Sequence, residues 1–223
     1  MIDLSIAAEF AAAGLRVTLG VLSAEISPGP SGAALLADMK EAENARIAEF
    51  QSSRPADIAA VAETRRAYKA LGKDPSRYRP SAEALMRRLA LGKGLYRINN
   101  AVDVINLVSV RTGFSIGGYD AGLIQPPVVF RRAAEGETYE AIGRGAINLE
   151  GLPVFCDETG PFGSPTSDST RTMISEHTHK IFMAIIAFGD AAPLKAAVDG
   201  TVTALRDHCA ARDIELATIG DAL

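Results

Sequence analysis

Residues 160–172, Gly-Pro-Phe-Gly-Ser-Pro-Thr-Ser-Asp-Ser-Thr-Arg-Thr, gather hydroxyl side chains around a single acid and a single guanidinium. Arg171 has the planar fork that grips a carboxylate or a phosphate. Ser169 and Thr170 offer hydroxyls to position a water, and Ser167, Asp168 and Thr172 offer further polar contacts to a bound group. Glycine in the same stretch lets backbone approach a ligand closely. The same residue types also build ordinary surface turns, so composition leaves a ligand loop and a plain loop both open. A second constellation lies in 99–109, where Asn99, Asp103 and Asn106 recur at i, i+4 and i+7 on an otherwise apolar segment. Each buried amide or carboxylate left unpaired costs roughly 1–3 kcal/mol or more. The stripe must therefore brace loops or face a ligand pocket, and both readings stand.

Other groupings carry weaker chemistry. Glu176-His177-Thr178-His179 places two imidazoles two residues apart, on one face if the segment is a strand, but a third ligand at recognisable spacing is missing and no metal is expected. Cys156 sits between Phe155 and Asp157 with no identifiable base, and reads as a small hydrophobe. No glycine-rich phosphate loop is present, and Gly117-Gly118 does not substitute for one, so no cofactor is expected. Charge is more informative. Ten basic residues between Arg65 and Arg97 face only Asp74 and Glu83, a local charge of +8 in a chain of net charge −4, which leaves −12 for the remainder. A uniformly basic nucleic-acid coat is excluded, whereas one cationic face is not. Arg65, Arg66, Lys69, Lys73, Arg77 and Arg79 are its candidates for phosphate contacts, against the reading that these are solvated helices whose charges pair with acids elsewhere.

The elements that must position these groups follow from periodicity. Residues 15–22 alternate and are rich in branched side chains, which predicts a strand. Ser31 is expected to cap a helix carrying Leu35, Met39 and Ala42 on one face and ending at Phe50. Helices are expected after Pro55, with Ile58, Val61, Tyr68 and Leu71 inward, and after Pro80, with Leu85, Met86 and Leu89 inward. Segment 99–109 reads as a mostly buried helix. Short apolar runs then predict a β-rich half, with 180–188 a central strand, a helix after Pro193, a final strand over 213–219, and a long irregular loop near 157–172. The 223 residues, 48% hydrophobic and 22% charged, suit one globular domain or two small ones, and no uncharged run is long enough to span a membrane. Asp3, Glu9 and Arg16 lead us to expect no export signal, and two isolated cysteines fit a reducing, cytoplasmic setting.

The stretch Arg97-Ile98-Asn99-Asn100-Ala101-Val102-Asp103-Val104-Ile105-Asn106-Leu107-Val108, then Gly113 and Gly117-Gly118-Tyr119-Asp120, resembles the editing module of the phenylalanyl-tRNA synthetase β subunit. The likeness continues through Arg131-Arg132-Ala133, Gly136-Glu137, residues 152–157 and the hydroxyl-rich loop, and residues 68–81 resemble stand-alone relatives of that module. The resemblance implies an α+β, three-layer domain with a β-sandwich of unusual topology flanked by helices. It is expected to occupy 1–223 as a single unit, with a recognisable core at about 75–190 and a helical N-terminal part at 31–92. It also implies a pocket that removes a wrong amino acid from tRNA by water attack on the ester, because a binding pocket alone cannot strongly reject a near-isostere. Where the synthetase module carries a histidine two residues before its aromatic-Asp pair this chain has Gly117, and Ala184 stands near the place of its late-strand glutamate. The expected function is therefore trans-editing of mischarged aminoacyl-tRNA. Asn99, Asp103, Asn106, Gly117, Gly118, Asp120, Ser167, Asp168 and Thr172 would line the substrate site, and Ser169, Thr170 and Arg171 would act on the ester. Aminoacylated tRNA is the expected partner, with no DNA and no membrane. The alternatives are a non-catalytic RNA-binding module and a hydrolase of small amino acid conjugates.

Overall fold

The computed structural model describes residues 1–220. In chain order it contains β1 (Leu4–Ile6), α1 (Glu9–Ala12), β2 (Val17–Glu25), α2 (Ala33–Glu49), α3 (Ala59–Ala70), α4 (Ser81–Ala90), α5 (Asn100–Thr112) and β3 (Ser115–Asp120). These are followed by β4 (Val128–Arg132), β5 (Thr138–Ala141), β6 (Gly145–Asn148), β7 (Pro153–Asp157), β8 (Gly160–Gly163), β9 (Lys180–Phe188), α6 (Leu194–Cys209) and β10 (Arg212–Gly220). Two four-stranded sheets run in the orders β1-β4-β7-β8 and β10-β2-β9-β3, and β5-β6 form a separate hairpin. The expected α+β architecture, a β-sandwich covered by helices on one side, is what the chain adopts.

The second sheet is the middle layer, and β9 shows why. Its side chains alternate across the sheet. Ile181, Met183, Ile185 and Ala187 face α2, α5 and α6 in one apolar core, while Phe182, Ala184, Ile186 and Phe188 face the first sheet in another. Both faces are buried, so the run is apolar throughout and shows no alternation. The partner strand β2 divides the same way, with Leu22 and Ala24 towards the helices and Val17, Leu19 and Val21 towards the sheet. Gly20 is where α6 comes closest: a Cβ there would sit 2.6 Å from Val198 Cγ2. Between the sheets Phe130, Phe155, Phe162, Phe182 and Tyr119 interlock, with Phe130 and Phe155 ring centres 4.5 Å apart.

Buried polar side chains tie the helical layer to its loops. Asn99 is the N-cap of α5 and accepts the Val102 N–H at 2.9 Å. Asn100 accepts from Gly29 N–H and donates its amide to the carbonyls of Ser27 and His208. Asp103 is fully buried and accepts from the Ser31 hydroxyl at 2.6 Å and the Ile98 N–H at 3.0 Å. Two local expectations are corrected here. Ser31 does not cap α2, whose N-cap is Gly32, because its hydroxyl is committed to Asp103. After Pro55 the chain makes a short 3-10 turn, Pro55–Asp57, and α3 begins only at Ala59.

Asn100→Ala strands two carbonyls and two N–H groups, those of Gly29 and Ala101, that the amide now satisfies. It should cost about 2–4 kcal/mol, read as a lower urea midpoint with an unchanged denaturant slope.

Candidate functional site

A cavity of about 150 Å³ opens where α4, α5 and β3 meet the loop after β8. Leu85, Val102, Ile105, Ile116, Ile142 and Ile174 supply much of its wall, and Ser81, Asn106, Ser109 and Asp168 are its polar members. The Ser109 hydroxyl is already taken by the Phe114 carbonyl at 2.7 Å. Asn106 has no hydrogen-bond partner among the described residues, so its amide is free for a bound group. Gly118 lines the cavity floor, and a Cβ there would lie 2.3 Å from Ile105 Cδ1.

Asp168 is the one carboxylate on this cavity. β3 is an edge strand of the middle sheet, and among the described residues no further strand pairs with its outer side. Asp168 covers that edge: Oδ1 accepts from the Tyr119 hydroxyl at 2.9 Å, and the N–H groups of Gly118 and Ser164 also favour its charged form. Burial dominates all the same and pushes the carboxyl up to about 7. The residue is partly accessible through the cavity although its carboxyl is enclosed by protein. A carboxyl that exchanges its proton near neutrality, on an apolar cavity, is suited to general base chemistry.

The rest of the loop is mostly buried, contrary to the reading of a plain surface loop. Its irregularity is also less than expected, since β8 and a 3-10 turn at Thr170–Thr172 lie within it. Ser169 is buried and caps that turn by accepting the Arg171 N–H, and the exposed Thr170 hydroxyl reaches only the Glu140 carbonyl at 3.4 Å. The Ser167 carbonyl accepts from the Ser164 and Tyr139 hydroxyls. Thr172 is fully buried, and its hydroxyl has no partner among the described residues. Arg171 does not reach into the cavity. It forks onto Asp157 at 3.0 and 2.9 Å, which corrects the expectation of a guanidinium free for a ligand. Burial would raise the Asp157 carboxyl, but Arg171, the Gln125 N–H and Thr159 outweigh it and hold the group below the usual carboxylate range.

Within these surroundings a model of the B3/4 domain family matches residues 63–209, more than half of the chain. The chain belongs to the B3/4 domain family. Its fold is similar to that of an N-terminal fragment of the phenylalanyl-tRNA synthetase β subunit from Pyrococcus horikoshii, with a TM-score of 0.51 and 13% identity over 99% of this chain. The chain spans 55% of the length of that fragment. No curated protein matches. The chain is thus a relative of the domain found in the synthetase β subunit.

Two positions singled out by that relationship prove to be neighbours. Gly117 on β3 is the register partner of Ala184 on β9. They face the inter-sheet core, away from the cavity, and the Tyr119 phenol occupies the space beside them. A Cβ on Gly117 would lie 2.0 Å from the Tyr119 hydroxyl oxygen, and one on Gly163 would lie 2.1 Å from it. The glycine pair therefore has two separate tasks: Gly117 admits Tyr119 to the inter-sheet core, and Gly118 borders the cavity. Of the B3/4 residues proposed from sequence to meet substrate, Asn106, Gly118 and Asp168 come together. Asn99 and Asp103 brace loops, and Asp120 is occupied by Gly122 N–H and the Thr178 hydroxyl. His177 and His179 are exposed on either side of the buried Thr178, and among the described residues no metal-binding cluster of three or more ligands occurs.

The basic segment is less uniform than its sequence. Arg65 and Arg79 converge on the buried Glu83, and Arg66 pairs with Glu63. Lys73 donates to the Glu150 carbonyl and lies 4.0 Å from the centre of the Tyr78 ring, and burial lowers its pKa. Lys69 and Arg77 are exposed. Sequence reasoning missed the wall residues Ser81, Leu85 and Ile174, whose apolar or ambiguous character gives no chemical signal. It also missed Glu83, which was visible as one of only two acids in the basic run.

Arg171→Ala should lower stability by about 1–3 kcal/mol at neutral pH, discounted because the guanidinium is partly exposed and other donors remain to Asp157. Arg171 depresses the folded-state pKa, so its contribution exists above the ordinary carboxylate range and disappears as pH falls through the folded value. Urea melts of the two proteins should therefore converge in acid.

Proposed function

We propose that the protein is a trans-acting hydrolase of aminoacyl-tRNA, in which the cavity receives the amino acid and Asp168 activates water. The observation that carries this reading is Asp168 itself, a carboxyl with a pKa of about 7 held on an apolar cavity beside a glycine and an unpaired asparagine amide. Membership of the B3/4 family and the fold likeness to a fragment of a tRNA synthetase subunit support the choice of substrate.

In this mechanism the Asp168 carboxylate takes a proton from water as the water oxygen bonds to the ester carbonyl carbon. The tetrahedral adduct then collapses, the bond to the ribose oxygen breaks, and the proton on Asp168 passes to that oxygen. Free amino acid and tRNA result, with the carboxylate restored. Asn106 orients the ammonium or carbonyl group of the amino acid. Ser169, Thr170 and Arg171 keep the loop in place and so hold Asp168, a positioning role. Lys69 and Arg77, with Arg66 beside them, meet tRNA phosphates, which makes binding fall steeply with salt. Among the described residues no helix is long and apolar enough to cross a membrane, and we place the protein with its tRNA substrate in the cytoplasm.

Tyr119 filling the space at the Gly117/Ala184 pair favours a second reading, that the chain binds RNA without hydrolysing it. Single-turnover assays on correctly and wrongly charged tRNAs at two salt concentrations separate the two. Selective release of one amino acid is expected, and salt-sensitive binding without release would leave a binding module.

Asp168→Asn should reduce release at least about 100-fold with tRNA affinity unchanged, on the scale of a lost general base. In the unchanged protein the rate should rise with pH and level off above about 7. Stability should move oppositely. The folded pKa lies above the ordinary value, so ionising Asp168 weakens the fold as pH rises towards 7, and Asp168→Asn should flatten that decline in pH-dependent urea melts.

A further inference from the structure

The side of α4 away from the cavity carries a different arrangement. Glu83, whose side chain is 1% exposed, is approached by three guanidinium groups: Arg65 at 2.8 Å, Arg79 at 3.6 Å and Arg87 at 3.9 Å. They border a surface cleft of about 330 Å³ whose walls also include Arg54 and Ser76. Only Arg65 is within hydrogen-bonding distance of the carboxylate. Arg79 donates one bond to the Ser76 carbonyl, and its Nε is buried without an acceptor among the described residues. Arg54 is already forked by Asp57.

We propose that this cleft is a phosphate-binding site. One buried carboxylate set against three guanidinium groups leaves two positive charges unmatched among side chains held close together. Such a cluster is self-repelling, and an anion carrying about two charges neutralises it. A carboxylate ligand brings one charge and two acceptor oxygens, whereas a phosphate brings more of both and suits forked donors. Glu83 is the organiser: fixed in the core, it draws Arg65 and Arg79 towards one point while their remaining N–H groups stay available. Arg87 is half exposed and the most loosely tied of the three, which makes it the residue best able to turn onto a ligand.

Ser81 and Leu85 line the cavity while Glu83 and Arg87 line the cleft, so the two sites lie on opposite sides of a helix about 10–12 Å thick. The phosphate site does not depend on the hydrolytic reading. The phosphate in question belongs either to an RNA backbone or to a free phosphate or pyrophosphate.

Calorimetric titration of the full chain with inorganic phosphate and pyrophosphate at constant ionic strength tests the proposal. Saturable binding is expected, at least about fivefold weaker in Arg87→Gln and unchanged in Lys93→Gln, an exposed charge of the same basic segment outside the cleft. Absence of saturation with both anions, or equal loss in the two variants, would overturn it, the second by reducing the effect to diffuse attraction. Arg87 contributes only the longest of the three ion pairs, and matching circular dichroism melts confirm that its variant folds. A short single-stranded RNA that displaces pyrophosphate assigns the site to backbone phosphate, and failure to displace assigns it to a free anion. Loss of aminoacyl-tRNA hydrolysis in Asp168→Asn leaves these titrations unchanged.

Discussion

Burial of the middle sheet on both faces is the constraint from which the rest of the architecture follows. A strand such as β9 has no solvent-facing side, so each face must be covered by a separate apolar layer. The helices α2, α5 and α6 supply one cover and the sheet containing β4 and β7 the other. Covering both faces leaves only the edges of the sheet for polar chemistry. One edge is β10, which is exposed at most of its positions. The other is β3, and the outer side of β3 is where Asp168, Tyr119 and the cavity meet.

That geometry explains how one carboxylate serves two compartments. Successive residues of β3 point to opposite layers, so Tyr119 enters the inter-sheet core while Gly118 and Ile116 face the helices. Asp168 crosses the strand edge between them. It holds the Tyr119 hydroxyl, which would otherwise be a buried donor without a partner, and it borders the cavity on the helix side. Tyr119 in turn needs Gly117 and Gly163, because a side chain at either would overlap its ring. The absence of a side chain at Gly117 thus leaves the space that the Tyr119 phenol occupies.

Much of this was legible in the sequence. The continuous apolar run of β9, the apolar stripes of α4 and α6 and the turn residues between the strands each specified an element through its burial. The polar stripe on α5 was legible as a constraint but not as a role. Asn99, Asp103 and Asn106 share a helix face, yet that face runs from a helix end packed on loops to a segment bordering a cavity. Position along the axis, which periodicity does not report, separates the braces from the candidate ligand contact. Arg171 misled for a related reason. Its partner Asp157 lies 14 residues away, and only the register of β7 with β8 brings the two segments together.

Asp157 and Asp168 show how the same segment treats two enclosed carboxyls in opposite ways. Both carboxyls are enclosed, and burial raises the pKa of both. Asp157 receives a guanidinium and several N–H and O–H donors, ends below the ordinary range, and so stabilises the folded chain at neutral pH. Asp168 receives neutral donors and no cation, ends near 7, and costs stability once it ionises. Moving a cation to Asp168 would remove that cost, but it would also leave a carboxylate too weakly basic to take a proton from water at neutral pH. The guanidinium of the same segment, Arg171, is instead locked on Asp157, three residues before β8 begins, where it fixes the loop without pairing with Asp168.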